Sequence, residues 1–256
     1  GEGLGNKFLS HIRETDAIVE VVRCFENKDI IHVEGKVDPI RDIEIINLEL
    51  ALADLESIGN RIEKIEKKAR TSKNKDELIE LEALKKAKSS LEKNEALRTV
   101  SFTKEELLAI KSYNFLTQKP IIYMANINEE EVSTEDNEYV KQVKEYASKE
   151  NAKVIKVCAK IEEELSQLDD NDHKDMLEAL GIKMSGLDQL IQATYDLLGL
   201  ATYFTVGKDE VRAWTFRKGM NAKECAGIIH SDFEKGFIRA EVTGYQDFVD
   251  NGSYTA

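Results

Sequence analysis

Only two prolines, Pro39 and Pro120, interrupt the chain, and between them apolar residues return with the period of a helix. Leu48, Leu52, Leu55, Ile58, Ile62, Ile65 and Ala69 recur at steps of three and four, with Gly59 the one weak position. After the polar break TSKNKD at 71–76, a second stripe runs through Leu78, Leu81, Leu84, Ala87, Leu91 and Leu97. Residues three or four apart share one helix face, so each stripe predicts a long amphipathic helix. A break this short joins antiparallel neighbours, and the stripes are narrow, with few bulky residues on the outer faces. Residues 42–98 are therefore expected to form a projecting helical hairpin.

The flanks follow a different grammar. Residues 17–25 (AIVEVVRCF) are β-branched and nearly all apolar, and they follow an amphipathic stretch through Phe8, Leu9 and Ile12, which predicts a helix and then a buried strand. Two similar runs, IIYMAN at 121–126 and KVIKVC at 153–158, are separated by a predicted helix over 140–147, and another helix opens at 185 and ends at Gly199. Strands alternating with helices imply a parallel sheet. Past Leu200, short strands are expected at 203–206, 211–216 and 237–242 with a helix near 222–229, a small α+β unit. The sequence stops at Ala256 before such a unit would close its sheet, so truncation is expected there.

Charge and composition narrow the class. The chain of 256 residues carries 49 Asp and Glu against 36 Lys and Arg, a net −13, and 41% of it is hydrophobic, enough to bury a core. No window approaches the roughly 18 apolar residues of a membrane helix, and the N-terminus lacks the basic-then-apolar layout of a signal sequence. Cys24, Cys158 and Cys225 lie far apart without a C-x-x-C pair, which fits a reducing cytoplasm. His11, His32, His173 and His230 show no metal-ligand spacing.

Positive charge gathers on the hairpin, where residues 61–98 hold 12 Lys and Arg against 8 Asp and Glu. Lys64, Lys67, Lys68, Arg70, Lys73 and Lys75 cluster towards its tip and are candidates for contact with RNA phosphates. The competing reading is a solvated helix with pairs such as Glu63–Lys67 and Glu82–Lys86. Residues 200–256 have 7 basic and 8 acidic side chains, with Arg212, Arg217 and Lys218 the candidates for a local basic patch.

Asn126 ends a predicted parallel strand, the place where α/β sheets bind ligands, and Glu129 follows three residues later. P-loop GTPases carry a similar N-K-x-D, whose carboxylate accepts two donors from guanine while the Lys stem covers the base. Here Ile127 stands for that Lys and Glu129 for that Asp. Adenine has no 2-amino donor and its N1 is an acceptor, so guanine preference is expected to be lost. Taken alone, N-x-x-E is also what a turn-capping Asn with a solvated Glu looks like.

The wider pattern is more specific. GEGLGNKFL at 1–9, Asp38-Pro39 before the hairpin, KPIIYMAN at 119–126, VRAWTF at 211–216 and IHSDFEKGFIRA at 229–240 together resemble the Obg-like ATPase family, also called YchF, along essentially the whole chain. The resemblance implies an α/β fold: the C-terminal half of a P-loop NTPase domain with a parallel sheet (1–41 and 99–199), an inserted antiparallel helical hairpin or coiled coil (42–98), and an incomplete ubiquitin-like β-grasp (TGS) domain (200–256). It implies ATP or GTP with Mg²⁺ as cofactors, ATP preferred and hydrolysed, and the ribosome or its RNA as a cytoplasmic partner, without membrane or DNA.

Carried over by residue, Asn126 and Glu129 match the family's base-recognition motif, with Asn126 at the adenine edge, and Cys158-Ala159-Lys160 match the loop that closes over the base. For Cys158 a buried structural thiol is the favoured alternative. Gly1, Gly3 and Gly5 correspond to the glycine-rich stretch after the second switch. G-x-x-x-x-G-K-[ST] and the D-x-x-G switch are absent, so these residues are expected to hold no catalytic group, to bind nucleotide weakly and not to hydrolyse ATP by themselves. A second class of function, nucleotide-independent RNA or protein binding through the hairpin and TGS unit, remains open.

Overall fold

Pro39 sits where its fixed φ suits a first helical turn and its missing N–H is not needed, and it opens the longest element of the molecule. The computed structural model describes residues 5–28, 30, 35–72, 74–207 and 209–252, with the backbone alone at 6 and 67–72. Gly1 and Gly3 lie outside the described residues. In chain order, α1 (Asn6–Arg13), β1 (Ile18–Arg23), α2 (Pro39–Ser72) and α3 (Lys75–Leu91) come first, then α4 (Lys104–Ile110), β2 (Ile121–Asn126), α5 (Glu138–Lys149) and β3 (Lys153–Val157). They are followed by α6 (Ala159–Leu165), α7 (Asp170–Ala179), α8 (Gly186–Leu197), β4 (Leu200–Val206), β5 (Val211–Arg217), α9 (Ala222–Ile229), α10 (Ser231–Lys235) and α11 (Tyr245–Asn251). The chain divides into two units, Gly1–Thr194 and Tyr195–Ala256.

In the first unit β1, β2 and β3 pair in that order and all in parallel, with Ile18 opposite Ile121 and Met124 opposite Ile155. The central strand β2 buries Ile121, Ile122, Tyr123 and Ala125, as its unbroken apolar run predicts. β1 departs from the expected buried strand. Among the described residues it pairs on one side only, and it alternates, with Val22 and Glu20 inward and Val19 and Val21 38% and 61% exposed. Side chains of a strand alternate between faces, and the face carrying Val19 and Val21 is not covered by the described residues.

Helix α2 begins at Pro39, before the expected 42, and its first turns belong to the sheet. Ile43 is buried with Tyr123, Ala125, Val140 and Ile161, Leu50 packs with Leu9 and Leu116, and only further along do Ile58 and Ile65 meet Leu81, Leu84 and Leu91 of α3. Leu48 and Leu52, assigned to the stripe from the sequence, are half exposed at 50% and 52%. The buried series runs instead through Ile43, Leu50, Asp54, Ile58 and Ile65. One residue of offset turns a helix by about 100°, enough to carry Leu48 and Leu52 off the core face. The hairpin is also not bare: Ile110 of α4 and Phe115 complete its core. α3 starts where Asn74 Oδ1 accepts the Asp76 N–H at 3.0 Å, and α4 starts at a capping box between Thr103 and Glu106.

Polar contacts tie the hairpin to the sheet. Asp54 of α2 is fully buried and accepts from Arg13 Nη1 (3.0 Å), the backbone N–H of Leu116 (3.0 Å) and Thr117 (2.8 Å), and Thr117 Oγ1 (2.8 Å). Arg98, which follows α3, pairs with Glu150 at 2.7 Å and donates to Asn47 Oδ1 at 2.9 Å, and Asn47 Nδ2 reaches Tyr146 Oη at 3.2 Å. With every partner occupied, these buried groups fix one arrangement of α2 on the sheet.

The second unit pairs β4 with β5 antiparallel from Leu200–Arg217 to Val206–Val211, and α9 follows as expected, opened by an Asn221–Glu224 capping box. The strand expected at 237–242 is not formed; Ile238 and Val242 are 91% and 83% exposed. The alternating pattern is there, but a strand also needs a neighbour to take its N–H and C=O groups, and none pairs with this segment among the described residues. The unit carries α10 and α11, which the sequence reading did not anticipate.

Candidate functional site

At the C-terminal ends of β2 and β3 two loops are joined by one side chain. Asn126 Oδ1 accepts the Ala159 N–H at 3.0 Å, which links the end of β2 to the start of α6. Glu129, the first residue of the 3₁₀ turn in the loop after β2, forms an ion pair with Lys160 across the same mouth, and both side chains are substantially exposed. That partner raises the Lys160 ammonium above its ordinary value. The two segments thus bring a carboxamide, a carboxylate and an ammonium together at the C-terminal end of a parallel sheet, groups that can hydrogen-bond the rim of a flat heterocycle.

Of the six residues assigned to base contact from the sequence, the structure brings four to this mouth: Asn126, Glu129, Ala159 and Lys160. The other two point away. Ile127 is 3% exposed and lies in the core of the sheet, its N–H bonded to the Val157 carbonyl at 2.8 Å. Its side chain occupies the protein interior, which corrects the expectation that it stands where a base-covering Lys would. Cys158 is 4% exposed in the same core, the buried thiol favoured for it.

Residues that the sequence reading missed hold the mouth in shape. Glu131 accepts the Asn128 N–H through Oε2 (3.2 Å) and Asn137 Nδ2 through Oε1 (2.9 Å), and the same Asn137 Nδ2 donates to the Cys24 carbonyl at 2.8 Å. Lys156 Nζ donates to the Thr134 carbonyl at 2.7 Å. The spacing Asn128-x-x-Glu131 is a capping box and was the available signal. On the other side, the Glu162 carboxylate caps α8 by accepting the N–H groups of Gly186 (2.6 Å) and Leu187 (3.0 Å). Gly186 is required there, because a Cβ would lie 2.5 Å from Val157 Cγ1. A surface depression of about 390 Å³ lies elsewhere, against Lys104, Leu107, Leu108 and Lys111 of the α4 region, so it does not mark this mouth.

The basic candidates separate. Lys64 and Lys75 are exposed near the hairpin tip, while Lys73 and the side chains of Lys67, Lys68 and Arg70 lie outside the described residues. In the second unit, Arg212 stacks 4.1 Å over the Trp214 ring and Lys218 pairs with Asp196 at 3.1 Å. Arg212 and Arg217 sit five residues apart on β5 and so face opposite sides, which corrects the expected common patch.

Among the described residues, no group of three or more His, Cys, Asp or Glu is placed to hold a metal ion. No helix there is long and apolar enough to cross a membrane.

Comparison with known proteins extends this picture. A family model named for the C-terminal region of YchF GTPases, and described as a protein of unknown function, matches residues 200–256. The chain is 57% identical over 253 residues to the ribosome-binding ATPase YchF of Bacillus subtilis, covering 98% of this chain and 69% of that protein. It is 50% identical over 249 residues to the ribosome-binding ATPase YchF of Escherichia coli O157:H7, covering 97% and 68%. Among solved structures, the YchF GTPase of Schizosaccharomyces pombe superposes with a TM-score of 0.87 at 37% identity, over 100% of this chain and 69% of that one.

Proposed function

Because this chain belongs to the YchF family, we propose that it forms the base-recognising and partner-binding part of a cytoplasmic, ribosome-associated protein that binds ATP in preference to GTP and hydrolyses it with Mg²⁺. The observation that carries this reading is the Asn126–Ala159 bond, which joins the loops at the C-terminal ends of β2 and β3 beside Glu129 and Lys160, in a chain 57% identical to a ribosome-binding ATPase. Nothing in the 256 residues matches G-x-x-x-x-G-K-[ST], so the phosphates and Mg²⁺ are assigned to residues outside this sequence. When bound, the metal would neutralise developing phosphate charge; the residues present here only select and orient the base. The hairpin, residues 42–98 as a working boundary, and the TGS-like unit, residues 200–256, are assigned to the ribosome. The hairpin's basic tip of Lys64, Lys67, Lys68, Arg70, Lys73 and Lys75 is the proposed contact with ribosomal RNA.

Co-sedimentation with ribosomes at several salt concentrations tests the partner. Changing Lys67, Lys68, Lys73 and Lys75 to Gln leaves every Leu and Ile of the two apolar stripes unchanged. The slope of log affinity against log salt should flatten by roughly 0.7 to 0.9 for each phosphate no longer neutralised. A variant that stays helical yet pellets like the wild type at every salt would remove the hairpin tip from the interface.

A further inference from the structure

We propose that the depression beside α4 is a docking site for an acidic segment of a partner protein, one that carries a bulky apolar side chain. On α4 and its C-cap, Lys104, Leu107, Leu108 and Lys111 stand at i, i+3, i+4 and i+7, the spacing of a single helix face. A face with leucines at this spacing ordinarily meets a core. Here it looks outward: Leu107 and Leu108 are 43% and 75% exposed, while Ile110 of the same helix is buried in the hairpin core. The stripe lines the concave surface of about 390 Å³, and the buried Phe115 lines it too.

Charge in this depression has one sign. No acidic side chain lines it, and Lys104 and Lys111 form no ion pair among the described residues, whereas Glu106 of the same helix turns to Lys86 at 3.1 Å. On a chain of net charge −13, two unpaired ammonium groups beside two uncovered leucines are complemented by a segment that carries carboxylates around an apolar side chain. RNA phosphates would satisfy the lysines but leave Leu107 and Leu108 in water, and only an apolar group removes that area from solvent. The leucines therefore favour a peptide. The surroundings also hold the site ready. A capping box fixes the start of α4, Phe115 stacks on Tyr113 with ring centroids 5.4 Å apart, and the Asn114 carbonyl accepts Arg13 Nη1 at 3.4 Å. Lys119 Nζ is turned inward to the carbonyls of Arg13 and Thr15, which leaves Lys104 and Lys111 as the cations of the lining that can reach a carboxylate. A groove already formed gives up little freedom when it is filled.

Fluorescence anisotropy with the full chain tests this. The probes are three labelled peptides, an Asp/Glu frame around a central Leu, Phe or Trp, together with the same frame around Ser and a labelled oligouridine. At least one apolar-centred peptide should saturate with a Kd below about 1 mM and bind about tenfold more tightly than the Ser peptide. Leu108→Ser should remove that advantage, and Lys104→Gln with Lys111→Gln should weaken the acidic peptides about three- to tenfold, the size expected for two exposed charges. All three side chains are exposed, so circular dichroism should find these variants folded. The proposal is overturned if none of the three peptides saturates, or if the advantage over Ser survives Leu108→Ser. It is equally overturned if the two lysine changes abolish oligouridine binding and leave the peptides unaffected, which would make the surface an RNA contact.

Discussion

Glu20 is a buried acid with an unsatisfied oxygen. It points inward from β1, is 9% exposed, and its Oε2 is buried without a hydrogen-bond partner. Burial pushes its carboxyl up to about 8, with the Arg98 guanidinium pulling it down and the Glu150 and Asp42 carboxylates pushing it further up. The folded state then holds a proton that the unfolded chain has released above its ordinary value of 4.5. Stability from this neutral form is complete below that value and is lost as pH rises towards 8. The loss amounts to about 1.4 kcal/mol for each tenfold mismatch in proton affinity, so a few kcal/mol across the window. Urea midpoints should fall from pH 5 to pH 8.5 in the wild type and stay nearly level in Glu20→Met. An equally steep fall in the variant would place the titrating group elsewhere. This acid could not be found in AIVEVVRCF, because a nearly continuous apolar run does not reveal which face is the core, and a slip of one residue exchanges the faces. Asn126 and Glu129 were legible for the opposite reason: a polar pair just past a predicted strand has one place to go. Ile127, between them, was misread because the motif gives spacing and not the direction of a side chain.

At the scale of elements, α2 is where the pattern of the sequence was most informative and least complete. Its period fixed a helix of the right kind, yet a period cannot say that the helix changes partners along its length, from sheet to α1 to α3. Asp54 marks the change. Its carboxylate satisfies four donors from α1 and from the segment before β2, and only the structure brings these together, since Arg13 and Thr117 lie far from it in sequence. Asp54→Ala should cost about 3 to 5 kcal/mol, the range for breaking a buried ion pair and stranding its partners. Amide exchange should accelerate at Leu116 and Thr117 before it does in α3. Arg13→Met should cost less, because Arg13 is 24% exposed and the three other donors to Asp54 remain. If both changes cost the same, the backbone bonds to Asp54 contribute nothing. The missing strand at 237–242 teaches the complementary lesson, that alternation specifies a willing strand but pairing depends on a neighbour.

Across the whole molecule, the alternation of strands and helices foretold the parallel sheet; the polar locks that set its geometry, such as Asp54 with Arg13 and Thr117, were not visible, because each joins residues distant in sequence. One further consequence follows from where α2, α3 and α4 are inserted. The two strands that begin the sheet are joined at Ile18 and Ile121, with the entire helical segment between them. Closing a loop of that length as a loose chain is entropically slow, and pairings so distant in sequence retard folding. The hairpin is assembled from near neighbours, and once it stands, Leu50 and Leu116 touch, which brings the two ends of the insertion together. A segment that looks like an appendage would therefore act as the clasp that sets the pace at which the sheet is made. Leu84 is fully buried in the hairpin and belongs to no sheet contact, so it isolates this effect. In stopped-flow refolding, Leu84→Ala should slow the formation of the α/β unit with a φ-value above about 0.5, whereas a change confined to the unfolding limb would mean that β1 and β2 find each other first.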